Sequence, residues 1–242
     1  MRIDGRAQNQ LRPIRITPHV SEYAEGSCII EYGKTKVLCT ATYEGQGPKW
    51  LHGTGQGWIT AEYGMLPRST QTRVKRDKTL SGGRTLEIAR LIARSLRAAV
   101  DLSAIADRQI TVDCDVLHAD GGTRTASVTG GFVALALALK KLHDVSEIKN
   151  LGLKNYISAV SVGLKEGTSF LDLNYDEDST INTDMNFVMT NTGEFIELQG
   201  TAEHQPFTTQ QLLDMVGLAQ LGGQQLFTEQ EKIVGSFYPL IK

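Results

Sequence analysis

The chain has 242 residues, 40% hydrophobic and 21% charged, with a formal net charge of −2. Such a length supports a substantial core in one large domain or two halves, and the composition excludes disordered, collagenous and disulfide-scaffold classes. A net charge this small gives no general attraction to nucleic acid, and neither an 18-residue apolar span nor a leader pattern is read in the sequence, so the cytoplasm is the expected address, away from any membrane.

Taken in chain order, residues 26–43 predict a hairpin, Cys28–Tyr32 and Thr35–Thr42 about a Gly33-Lys34 turn. Residues 45–82 are rich in Gly and charge, with a short strand over 57–63; the part from 68 to 82 has few apolar anchors and reads as a mobile basic loop ordered by a partner or another subunit. Arg84–Val100 predicts a helix whose buried stripe is Ile88, Leu91, Ile92, Leu96 and Ala99, with Glu87, Arg90, Arg94 and Arg97 opposite. Ile110–Leu117 alternates as a half-buried strand, and from about Thr125 an Ala-rich run to Leu142 reads as a helix. Strands follow over 156–164, 169–175, 184–190 and 194–199, then a helix over 209–232 opened by a Thr208/Gln211 capping box, with Gly222-Gly223 a candidate break. Strands followed by helices recur in both halves with no linker between, which predicts a single α+β domain of two pseudo-repeats, about 1–145 and 146–242, each a βαβα unit.

Three places carry candidate chemistry. Between the 110–117 strand and its helix stands Ala119-Asp120-Gly121-Gly122-Thr123-Arg124. A helix start supplies unpaired N–H groups and a favourable dipole, Thr123 a hydroxyl and Arg124 a fork of donors, which together suit an oxyanion; a plain tight turn is the alternative. The spacing is neither a Walker loop nor a dinucleotide fingerprint, and free inorganic phosphate fits such a small pocket. From Arg68 to Arg97 nine basic residues face two acids, a local charge of +7 that marks either a polyanion footprint or a solvated loop and surface helix. Arg90 and Arg94 lie one turn apart with only Glu87 near them in sequence, an arrangement an anion would relieve. Residues 172–184 hold five carboxylates, and a loop folding back would bring Asp178 near Asp184 as two hard oxygen donors for Mg²⁺; a merely solvated acidic connection is the alternative. Cys28, Cys39 and Cys114 read as reduced core thiols, and the five histidines show no ligand spacing.

MRIDGRAQNQLRPI at the start, GWITAEYGMLPRST at 57–70, GGRTLEIARLIARSLRAAVD at 82–101, DCDVLHADGGTRTASVTGGF at 113–132 and DMNFVMTNTGEFIELQGTAE at 184–203 resemble, in order and over nearly the full length, the bacterial ribonuclease PH family. The family is similar to the core subunits of the exosome ring. The resemblance implies a duplicated βαβα fold shared with a small-subunit ribosomal protein domain, and a homohexamer built as a trimer of dimers. It implies phosphorolytic 3′→5′ trimming of transfer-RNA precursors, in which inorganic phosphate is co-substrate and nucleoside diphosphates leave. By position it assigns Arg84, Gly122, Thr123 and Arg124 to phosphate. Asp178 and Asp184 match the acidic pair that holds Mg²⁺ or acts as general acid. Arg90 and Arg94 fall on the RNA side, and Arg73 and Arg76, with Arg68, on a basic segment tied to assembly and substrate. Two rivals are a non-catalytic ring subunit and a metal-dependent hydrolase using water.

Overall fold

A computed structural model describes residues 2–76, 82–202 and 205–240. A first sheet has the order β1-β2-β3-β5-β4, formed by β1 (Ile14–Pro18), β2 (Gly26–Tyr32), β3 (Thr35–Glu44), β4 (Trp58–Met65) and β5 (Gln109–His118). Its neighbours run antiparallel except for β4, which joins β5 in parallel through the helix α1 (Gly83–Ala98). The second sheet, β7-β6-β8-β9, is antiparallel and comprises β6 (Ile157–Lys165), β7 (Thr168–Leu171), β8 (Thr183–Thr190) and β9 (Phe195–Ala202). The helix α2 (Thr123–Asp144) packs on β2, β3 and β6, and so joins both sheets into one core. The short α3 (Tyr175–Asp178) and the long α4 (Thr209–Val234) complete the second half, so strands and helices alternate in both halves.

The core is built around α2. Its Ala and Gly residues let backbones approach closely: a Cβ on Gly26 of β2 would overlap the Ala134 carbonyl oxygen, and one on Gly130 would press on Ile30 and Cys39. The helix is therefore buried nearly all round and shows no amphipathic stripe. By length and composition it is apolar enough to cross a membrane, which corrects the reading of no such span, yet it is wrapped by the two sheets. Cys28, Cys39 and Cys114 stand opposite one another across β2, β3 and β5 as buried free thiols beneath it.

Three further expectations are corrected. The strand expected over 169–175 stops at Leu171: Asp172 has φ +54°, and Asn174 opens α3 through a capping box with Glu177. The last helix is unbroken at Gly222-Gly223, because those glycines seat Leu171 and Met189 of the second sheet against it. The basic loop is tied at its start: Ser69 is buried, its amide donates to Leu66 O, and its carbonyl accepts from Ala119 N at 2.8 Å. Residues 77–81 of that loop lie outside the described residues.

Candidate active site

The geometry begins at the end of β5. Gly121 and Gly122 both take left-handed backbone, φ +74° and +66°, and turn the chain directly into α2. Gly122 caps the helix without a side-chain bond, and the intrahelical ladder starts with Ala126 N donating to Gly122 O. The amides of Thr123, Arg124 and Thr125 precede that ladder, at the positive end of a 22-residue helix. Thr123 is buried, and its Oγ1 lies 2.8 Å from the Tyr63 hydroxyl at the end of β4. Burial raises the Tyr63 pKa, while the hydrogen bond to Thr123 and the nearby charges of Arg84 and Arg124 pull it down. Arg84, exposed in the first turn of α1, and Arg124 thus both bring positive charge into the neighbourhood of one hydroxyl pair.

Arg124 Nη1 donates to Gln199 Oε1 of β9 at 2.7 Å, and Gln199 in turn donates to Glu87 of α1. The β8–β9 register pairs Asn186 with Gln199 and Asp184 with Thr201, so Asp184 and Gln199 share one sheet face, diagonal neighbours. α3 lies over that same face: Leu173 N donates to Ser161 Oγ, and Ile181 packs where a Cβ on Gly163, the cross-strand partner of Asp184, would stand. The glycine turn also touches α3, since a Cβ on Gly121 would lie 2.7 Å from Leu173 O and 2.9 Å from Tyr175 N. The acidic segment thus sits against the oxyanion turn. Of its five carboxylates, Asp172 and Glu177 pair with buried arginines, while Asp176 and Asp178 are exposed on α3 and Asp184 is half-buried on β8.

The helix arginines are not alike. Arg90 is exposed, but Arg94 Nη1 stands 3.1 Å from Glu197 Oε2 of β9, a counter-charge that the local sequence does not show. Arg97 leaves the polar face altogether, donating to Ile59 O at 2.8 Å and lying over the Trp58 ring, and burial lowers its pKa. Arg68, Arg73 and Arg76 are exposed on the segment after β4. The sequence does not single out Tyr63, Glu197 or Gln199; its only signal for them is the strand patterns over 57–63 and 194–199 that hold them.

The pattern of the 3′ exoribonuclease family, domain 1, matches residues 10–141, and that of domain 2 matches residues 155–222. This chain belongs to the 3′ exoribonuclease family. It is 69% identical over 240 residues to Ribonuclease PH of Bdellovibrio bacteriovorus, covering 99% of both chains. Among solved structures the fold is shared with rice (Oryza sativa) Rrp46, at TM-score 0.78 and 20% identity over 96% of this chain and 100% of that one. It is shared as well with the Archaeoglobus fulgidus exosome with RNA bound to the active site, at TM-score 0.77 and 20% identity, over 94% of this chain and 92% of that one. In this chain the turn at Gly121–Arg124 is linked through Arg124 and Gln199 to the sheet face that bears Asp184.

Proposed function

We propose that the chain is a phosphorolytic 3′→5′ exoribonuclease that trims the 3′ ends of transfer-RNA precursors, with inorganic phosphate as co-substrate and nucleoside 5′-diphosphates as products. The observation that carries the reading is the grouping of Thr123, the first amides of α2 and the charges of Arg84 and Arg124 about the Tyr63–Thr123 hydroxyl pair. Orthophosphate is an anion that must approach a phosphodiester anion, so its charge has to be neutralised and its oxygen aligned before bond formation. Arg84, Arg124 and the Gly122–Thr123 amides hold that nucleophile; the RNA backbone runs toward it past Arg90 and Arg94, with Arg73 and Arg76 on the approach. One phosphodiester breaks as another P–O bond forms, so the reaction is near thermoneutral and runs backwards from nucleoside diphosphates.

Asp178 and Asp184, the one on the segment packed against the glycine turn and the other on the adjoining sheet face, would hold Mg²⁺, an ion that typically takes one or two carboxylates and completes its shell with substrate oxygens and water. Bound there, Mg²⁺ would stabilise charge on the reacting phosphates. The alternative role for Asp184 is general acid toward the departing 3′ oxygen. We propose further that the chain assembles as a homohexameric ring of three dimers and acts in the cytoplasm.

The test is a 3′-extended RNA incubated with the protein, with and without orthophosphate and Mg²⁺. Diphosphates released only with orthophosphate are expected. Monophosphates without it would make the protein a hydrolase, and no product would make it a binding subunit.

A further inference from the structure

Behind the glycine turn, away from α1, lies a buried ionic cluster outside the site described above. Arg12 is 4% exposed and pairs with Asp172, which has no exposure at all. Its Nε donates to Asp172 Oδ2 at 3.0 Å and its Nη2 to Oδ1 at 2.7 Å, while its own amide donates to Oδ2 at 2.8 Å. The remaining nitrogen turns to the glycine turn: Nη1 donates to Asp120 O at 2.5 Å, and both Nη atoms stand 3.5 Å from Gly121 O. Thr35, fully buried, adds a second brace, its Oγ1 donating to Gly121 O at 2.6 Å and accepting from Asp120 N at 2.9 Å.

A trans peptide is planar, so fixing a carbonyl on one side sends the following N–H to the other. Holding Asp120 O and Gly121 O therefore directs the N–H groups of Gly121 and Gly122 away from Arg12 and Thr35. The same anchor reaches the acidic segment. Asp172 O accepts from Arg2 Nη2 and Arg6 Nη1, and Arg2 clamps Glu177, whose capping box with Asn174 opens the helix that ends in Asp178. Three arginines (Arg2, Arg6, Arg12) thus meet three carboxylates (Asp4, Asp172, Glu177), so the cluster is balanced and has no spare charge for a ligand of its own. A charge pair this deeply buried is a poor source of stability but a strong source of geometry.

We infer that Arg12, braced by Asp172 and assisted by Thr35, is a positioning residue that aims the amides of the Gly121-Gly122 turn at orthophosphate. The inference rests on the reading of that turn as the orthophosphate site. Arg12 touches neither phosphate nor RNA, and it acts through two carbonyl groups.

The experiment compares Arg12→Lys, Thr35→Val and Thr35→Ser with Arg124→Ala, measuring KM for orthophosphate, KM for a 3′-extended RNA, kcat, and protection against thermal unfolding by orthophosphate alone. Lysine keeps the charge but cannot hold a carboxylate and two carbonyls at once. Arg12→Lys and Thr35→Val are expected to raise KM for orthophosphate about tenfold and to weaken protection by phosphate, with KM for RNA within about twofold. Thr35→Ser keeps the hydroxyl and should behave as wild type. Should Arg12→Lys fold poorly, Thr35→Val, which loses only two hydrogen bonds, carries the comparison. Lower thermal stability with both KM values and phosphate protection unchanged would reduce Arg12 and Thr35 to structural residues and overturn the inference. If Arg124→Ala also leaves KM for orthophosphate unchanged, the phosphate reading of the turn itself fails; if it alone raises that KM, only the positioning role fails.

Discussion

At the residue scale the site depends on a hydroxyl pair that neither arginine supplies. Tyr63 and Thr123 share one buried hydrogen bond, and it fixes the rotamer of the only side-chain hydroxyl in the first position of α2. Removing a buried hydrogen bond while keeping the ring costs about 1 kcal/mol, which for a chain of this length lowers Tm by about 2–4 °C. Tyr63→Phe should therefore remain folded, melt slightly earlier, and show a severalfold higher KM for orthophosphate, because Thr123 Oγ1 is then free to rotate away from the anion. Thermal melts paired with phosphate titrations check this. A variant with the lower Tm and an unaltered KM would show that the Thr123 hydroxyl serves packing and not the anion. Burial raises the Tyr63 pKa, so the phenol stays protonated at neutral pH and acts through its hydrogen bond.

At the element scale two glycines show how differently the same residue type serves the fold. Gly217 lies in α4 with nothing within 4 Å of a built Cβ, so only its backbone entropy matters there. Gly217→Ala should stabilise the protein by about 0.5–1 kcal/mol. Gly26 of β2 is the opposite case, because a methyl group there collides with the α2 backbone at Ala134 and Ala138 and would push the central helix off its sheet. Gly26→Ala should cost about 3 kcal/mol, and equal denaturant midpoints for the two variants would contradict this account of the core. Legibility divides along similar lines. The helix α1 and the strand β5 were readable because one face of each is buried and the period shows it. α2 was placed by its composition alone, since a helix buried on every side has no stripe. The end of β7 is harder to read, because the alternation continues past Leu171 while the Asn174/Glu177 capping pattern that stops the strand lies within an acidic run. Within the site, Gly122–Arg124 was legible as a local motif. Its supports were not: Tyr63 is 60 residues from Thr123, Gln199 is 75 from Arg124, and Arg12 is 108 from Asp120. Nothing in a local pattern reports such contacts.

At the scale of the whole molecule a net charge of −2 conceals two fields. Arginines gather around α1 and the segment before it, while Glu62, Asp113 and Asp115 lie together on the outer face of the first sheet, away from α2. Segregation of this kind lets a nearly neutral protein steer a polyanion to one side. The acidic face has its own consequence for stability. Burial, followed by the charges of Glu62, Asp115 and Glu44, raises the Asp113 pKa above its ordinary value of 3.8. The folded chain then binds that proton more tightly than the unfolded chain does. Stability is highest while Asp113 is protonated, and it falls as pH rises from the ordinary carboxylate range through the raised value. Asp113→Asn removes the charge and therefore the loss. Because the group is half-exposed and screened, the gain at pH 7 should be modest, about 0.5 kcal/mol or 1–2 °C in Tm. It should shrink in about 0.5 M salt and vanish near pH 3, where the wild-type carboxyl is already neutral. Melting curves of both proteins at the two pH values and two salt levels check each part. A variant less stable than wild type at pH 7 would mean that Asp113 is held by a favourable partner on that face, and that the face is not a region of net repulsion.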